Sequence, residues 1–265
     1  MKILRMNSTY HEEILSFFGE EADKFYFIIS DIIKNNYFGE NFKLFGEFDN
    51  NKLQSILINS FNNLTYFSRT DRSFDVYKDV LKKLNFNKVS GPNKLVEKVI
   101  PYVNVQNDEL SYLGYVNNII LEKRYTELPI RFINTDEEIG MQYDLLMSSK
   151  EYIDVLPDNK EIYIAEQKNK GNINSRTAYL MMDNQMVSSC STIAEHDKSA
   201  IIVGVVTNPK FRNKGFASEV LIGLFEVLLK EGKKPYLFYK NPLARSVYIK
   251  IGMEEVCEWR VAFLK

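Results

Sequence analysis

The chain has 265 residues, enough for one large domain or two small ones that each bury a core. Its 34 basic and 35 acidic residues nearly cancel and form no long run of one sign, which excludes a basic nucleic-acid module. The longest aliphatic run, Ile201 to Val206, is far too short to span a bilayer.

In the N-terminal half, His11 to Asn35 is expected to be mostly helical. Lys43 to Phe48 and Leu53 to Asn59 read as a hairpin turned by Asp49-Asn50-Asn51, and Leu64 to Ser68 as a further strand. Phe74 to Leu84 is expected to be a helix. Lys88 to Pro92 reads as a strand and turn, with Pro92 placed to open a helix that runs to about Pro101. Leu110 to Asn117 is another strand. A boundary is expected between Leu121 and Glu127, around Lys123-Arg124, giving domains 1–125 and 126–265.

The C-terminal half starts with a short strand at Pro129 to Ile133. Thr135 and Glu138 then form a capping-box pattern ahead of a helix to about Ser148. Glu161 to Glu166 reads as strand. Arg176 to Met182 and Met186 to Ile193 read as a hairpin turned by Asp183-Asn184, followed by a strand over 200–207. Val220, Leu221, Leu224, Phe225 and Leu228 share one stripe of the next helix, which Gly232 ends. Pro235 to Tyr239 is a strand, and a last helix over 242–250 ends at Gly252. Glu254 to Cys257 and Arg260 to Phe263 close the sheet. A β-rich start followed by βαβα predicts an α/β fold with a mixed sheet and helices on both faces.

The junction between the 200–207 strand and the next helix carries the chemistry. Thr207-Asn208-Pro209 leads into Arg212-Asn213-Lys214-Gly215-Phe216-Ala217. Unpaired N–H groups and the positive dipole end at a helix start suit a pyrophosphate. Gly215 lets the backbone approach closely, while Arg212 and Lys214 add positive charge. The pattern R-x-x-G-x-A after a strand resembles the acetyl-CoA loop of the GNAT superfamily of N-acetyltransferases. Downstream, N-x-x-A-x-x-x-Y-x-x-x-G-M, from Asn241 through Ala244 and Tyr248 to Met253, resembles the second GNAT motif.

The resemblance implies a GNAT-like fold with an active C-terminal lobe. The order of elements in the first half suggests a tandem arrangement. No Gly lies between Glu47 and Gly91, so the N-terminal lobe is expected to be degenerate and without a cofactor loop. The implied cofactor is acetyl-CoA (coenzyme A). Its pantetheine arm would pair with the main chain of Val205, Val206 and Thr207, and its phosphates would lie on Arg212, Asn213, Lys214, Gly215, Phe216 and Ala217. Asn241 would bond the pantetheine or phosphate arm, cap the last helix ahead of Pro242, or do both, and Ala244 is small where the cofactor would run close.

The implied reaction is acetyl transfer from a thioester to a primary amine of a small molecule, amino acid or peptide. Tyr248 is the expected acid for the leaving thiolate, since a phenol and an alkyl thiol are close in pKa. Glu195, with His196 beside it, precedes the central strand at the expected acceptor mouth and is the candidate base. A water relay or the Lys265 carboxylate stays open. Other readings are a non-catalytic acyl-CoA-binding module and an acyltransferase for a longer acyl chain.

Two cysteines, Cys190 and Cys257, cannot make a disulfide framework, and Met1 to Arg5 has no secretory apolar region, so a reduced cytoplasmic setting is expected. With only His11 and His196, and no C-x-x-C or H-E-x-x-H, no metal centre is expected. No nucleic-acid or membrane partner is expected, and pairing across a homodimer stays open.

Overall fold

The computed structural model describes residues 2–170 and 175–265. The chain divides into two compact units, 1–113 with 256–265, and 114–255. Strands β6 (Val105–Val116) and β12 (Met253–Leu264) contribute residues to both.

The first unit contains β1 (Lys2–Arg5), α1 (His11–Phe18), α2 (Tyr26–Lys34), β2 (Phe42–Asp49), β3 (Lys52–Ser60), β4 (Asn63–Ser68), α3 (Lys78–Leu81), β5 (Lys88–Pro92) and α4 (Asn93–Val99). Its strands run in the order β1-β2-β3-β4-β5-β12. All neighbours are antiparallel except β4 and β5, which pair parallel at Asn63↔Lys88 and Leu64↔Val89. Asn50 and Asn51, with φ of 48° and 60°, turn the β2–β3 hairpin. Left-handed residues at both turn positions match the twist of the strands they join. The helix expected over 74–84 is shorter, a 3₁₀ turn at Phe74–Tyr77 leading into α3. Trp259 to Phe263 of β12 pair with β5, and Ala262 is buried in this unit's core.

The second unit contains β7 (Arg131–Phe132), α5 (Asp136–Met147), α6 (Lys150–Ile153), α7 (Lys160–Lys170), β8 (Thr177–Met182), β9 (Gln185–Ile193), β10 (Ser199–Thr207), α8 (Phe216–Lys230), β11 (Lys234–Tyr239) and α9 (Pro242–Ile251). Strand order is β6-β11-β10-β9-β8-β7, and only β10–β11 of the registered pairs is parallel. The Thr135–Glu138 capping box forms at the start of α5. Asp183 and Asn184 turn the β8–β9 hairpin in the left-handed region. The side chains of β8 alternate between two cores. Ala178 and Leu180 join α8 and α9, whereas Tyr179 joins α5 and α7. Helices therefore cover both faces of this sheet.

Helix α8 is the centre of the larger core. Val220, Leu221, Leu224, Phe225 and Leu228 are buried, each stabilising the fold by about 1.5–3 kcal/mol. Its end is a Schellman motif, with Lys233 N–H bonded to Leu228 O at 2.8 Å and Gly232 N–H to Leu229 O at 3.0 Å.

Residues 161–166, expected as strand, are helical within α7. Asn159 accepts the Ile162 N–H at 3.0 Å and starts the helix. The consecutive apolar residues there do not face a common partner. Tyr163 is buried against Tyr143, while Ile162 is exposed.

Candidate active site

Strands β10 and β11 are registered from Ser199↔Lys234 to Ile202↔Leu237. Beyond that point they part. On its other side β10 pairs with β9, and between Val203 and Val206 the register shifts by one residue. The extra residue is accommodated at Gly204, whose φ is +62°. A bulge of this kind turns the backbone and re-aims its N–H and C=O groups. Past that point Val203 to Thr207 line a gap on the β11 side, while Val203, Val206 and Thr207 stay registered with β9 on the other.

That gap is a cavity of about 450 Å³. The β10 residues Val205, Val206 and Thr207 line it, together with Arg212, Asn213, Gly215, Phe216 and Ala217 from the loop into α8. Asn241, Ala244 and Tyr248 line it from α9 and the residue before it. Eleven sequence-expected residues from three separate stretches thus share one cavity.

Gly215 caps α8 with φ +92°, a conformation that disfavours any side chain. Its carbonyl accepts the Glu219 N–H, so the N–H groups just ahead have no helical acceptor. A bare, Cβ-free backbone at a positive dipole end fits a phosphate group. Arg212 closes the loop on its own strand, donating to Thr207 O at 3.2 Å and to Ser149 Oγ at 2.9 Å. Lys214 does not line the cavity. Its ammonium lies over the Phe211 ring and its carbonyl accepts the Tyr125 hydroxyl.

Tyr248 is buried in α9, one face of its ring edge-on to Tyr239. Burial, with Tyr152 and Cys190 nearby, pushes its hydroxyl above the usual phenol range, so it keeps its proton at neutral pH. The Asn241 side chain accepts the Leu243 N–H at 2.8 Å, making it the N-cap of α9 ahead of Pro242.

Glu195 is not brought to this cavity. Its carboxylate is buried and accepts from Arg176, from Lys233 Nζ at 2.7 Å and from Thr192 Oγ1 at 2.9 Å. Burial alone would raise its carboxyl, but those hydrogen bonds outweigh burial and hold it below the usual range. An acidic carboxyl tied to two cations is a poor acceptor for an ammonium proton, so the base role expected of Glu195 is dropped. His196 sits in the same turn, its N–H bonded to Ser199 O.

Sequence reasoning missed the opposite wall. Ser149, Glu151 and Tyr152, from α6 and the residue before it, line the cavity. Tyr152 donates to Val205 O at 3.3 Å, and Ser149 bonds both Glu151 and Arg212. The Ser149 hydrogen bond, with Arg212 3.9 Å away, lowers the Glu151 carboxyl. No local motif marks these residues, because their position depends on how α6 lies on β10.

Comparison with known proteins agrees with this geometry. The fold and the family match together define an acyltransferase. Residues 169–262 match the family model described as GNAT acetyltransferase, and that stretch is a GNAT acetyltransferase domain. Three solved structures share the fold over nearly the whole chain. A GNAT-family acetyltransferase from Colwellia psychrerythraea is 14% identical with TM-score 0.54, covering 99% of each chain. A GCN5-related N-acetyltransferase-like protein from Streptococcus suis is 13% identical with TM-score 0.54, covering 98% of this chain and 100% of its own. A tandem GNAT protein from the clavulanic acid biosynthesis pathway is 9% identical with TM-score 0.55, covering 98% of both. A comparison with curated proteins finds no match. Among the described residues, no helix is long and apolar enough to cross a membrane.

Proposed function

We propose that the protein is an acetyl-CoA-dependent N-acetyltransferase that acts on a primary amine of a small molecule, amino acid or peptide. The observation that carries this reading is the convergence, in one cavity, of a parted β10–β11 pair, an open helix start at Gly215 and the buried Tyr248. The two units are read as tandem lobes, 1–125 and 126–265 in sequence terms, with the cofactor loop in the second only. Two free cysteines accord with a reduced, cytoplasmic setting.

The residues lining the cavity suit the chemical groups of the cofactor. The main chain of 203–207 would pair with amide groups of the pantetheine arm, and the N–H groups around Asn213 to Ala217 would take the pyrophosphate. Acetyl-CoA, when bound, supplies an activated thioester. Backbone N–H groups of β10 at the bulge would stabilise negative charge on a carbonyl oxygen. Tyr248 holds a proton on its phenolic oxygen and would deliver it to a departing thiolate. With Glu195 elsewhere, the acceptor amine would enter already neutral or lose its proton to water.

The test is the melting temperature with acetyl-CoA and with free CoA, for wild type and Gly215→Asp. A ligand at about 100 times its Kd adds about 2.7 kcal/mol, a rise of a few degrees at this size. The rise is expected in wild type and absent in Gly215→Asp, whose carboxylate would stand where phosphate belongs. No rise in folded wild type would end the reading.

A further inference from the structure

The segment between β6 and β7 is irregular, yet three consecutive residues in it are fastened to α8 and its loop. Lys123 pairs with Glu226. The Arg124 backbone N–H donates to Glu219 Oε1 at 2.8 Å. The Tyr125 hydroxyl donates to Lys214 O at 3.1 Å, and its ring lies 5.3 Å from that of Phe216. Glu219 and Glu226 are seven residues apart, two turns along one side of the helix, so a short extended strap can reach both. Glu219 is only 2% exposed, which makes its bond to the Arg124 N–H hard to exchange for water.

This strap delivers the Arg124 side chain to the phosphate loop. A Cβ built on Gly215 would lie 3.8 Å from Arg124 Cδ and 3.8 Å from a terminal guanidinium nitrogen. Two other cations of the loop, Arg212 and Lys214, are already engaged. Arg212 donates to Thr207 O and Ser149, and Lys214 lies over Phe211. Both strap-facing carboxylates are also taken, Glu219 by a backbone N–H and Glu226 by Lys123. The exposed Arg124 guanidinium has no ion-pair partner among the described residues.

We propose that Arg124 is a phosphate-binding residue of the acyl-CoA site, held by the 123–125 strap so that its guanidinium meets a cofactor phosphate over the start of α8. This rests on the acyl-CoA reading above. A planar fork of N–H donors suits phosphate oxygens, and it adds full charge where the helix supplies only partial charge. Coenzyme A offers two sources of this chemistry, its pyrophosphate and its 3′-phosphate.

The experiment is titration calorimetry of wild type, Arg124→Gln and Arg124→Lys with CoA, dephospho-CoA and pantetheine. Arg124→Gln is expected to weaken CoA about tenfold, about 1.4 kcal/mol, with a shallower dependence of Kd on salt. Arg124→Lys should recover part of the loss, and pantetheine, which has no phosphate, should bind all three alike. An equal loss with dephospho-CoA assigns the pyrophosphate, and a loss confined to CoA assigns the 3′-phosphate. In turnover, KM for acetyl-CoA should rise about as far as Kd while kcat moves little. The unliganded melting temperature should stay put, because the side chain is exposed. CoA binding by Arg124→Gln at wild-type affinity and salt dependence, alongside its loss in Gly215→Asp, would overturn the proposal and leave the cofactor reading intact. Failure of wild type to bind CoA would overturn both.

Discussion

The two units contain the same succession of strands and put opposite things at the same point in it. In each, antiparallel neighbours give way to one parallel pair, β4–β5 in the first and β10–β11 in the second. In the second, the connection is the Gly215 loop and the fifteen residues of α8, and a cavity lies where the strands part. In the first, the connection is a 3₁₀ turn and four-residue α3, and aromatic rings fill the space. Tyr66 meets Phe74 at 5.0 Å and Tyr77 at 5.9 Å. The arginines after each parallel strand differ likewise. Arg72 turns inward and grips the buried Glu47 at 2.7 Å, and Arg69 donates to Phe17 O at 2.7 Å. Arg212 stays at a cavity rim. Topology alone therefore does not make an active site. An open helix start beside a parted strand pair sets the candidate site apart, and aromatic packing occupies the corresponding place in the first unit.

The largest expected effect probes the filled unit. Glu47→Ala leaves Arg72 only Asp49, 3.6 Å away, and removes an acceptor from Ser55 Oγ, so it should cost about 3 kcal/mol in urea unfolding. The acetyl-CoA affinity of the folded fraction should not change. A cost below about 1 kcal/mol, or a lost affinity, would break the contrast between a structural unit and a binding unit.

Next in size is Tyr248→Phe in the hollow unit. General acids contribute roughly 100-fold or more, so kcat should fall about 100-fold while CoA affinity and melting temperature hold. A kcat within twofold of wild type would remove Tyr248 from the chemistry and leave it as packing, like its counterparts in the first unit.

The smallest effect sharpens the boundary within the second unit, where the ionic corner around Glu195 is also structural. Arg176, then Lys233, hold the Glu231 carboxyl at about 2, below its ordinary 4.5. A folded-state value below the unfolded one adds stability that is complete above pH 4.5 and lost as pH falls towards 2. Glu231 is partly exposed, so solvent screening keeps the contribution to less than about 1 kcal/mol. Chemical denaturation of wild type and Glu231→Gln across that window should show the two stabilities converging as pH drops. Parallel curves would mean the corner contributes nothing.

The parts of the site legible in the sequence are those whose job is done by main chain or by local geometry. The β-branched run before Thr207, the lone glycine at 215 and the Asn241–Tyr248 spacing each specify a backbone path, and a path can be read from spacing. Hairpins turned by Asn50-Asn51 and Asp183-Asn184 are legible for the same reason. What stays hidden depends on distant packing. Glu195 reads as a loop carboxylate until Arg176 and Lys233 close on it. Ser149 and Tyr152 reach the cavity only because α6 lies beside β10. Residues 161–166 are a short apolar run like a strand's, yet the Asn159 cap and the burial of Tyr163 make them helix.

Strand β12 is split, its last nine residues belonging to the first unit. A ribosome makes the 1–113 portion early, but β5 waits for Trp259 to Phe263 before its outer edge is covered. Until β12 emerges, the nascent chain carries an open sheet edge beside an apolar core that lacks Ala262.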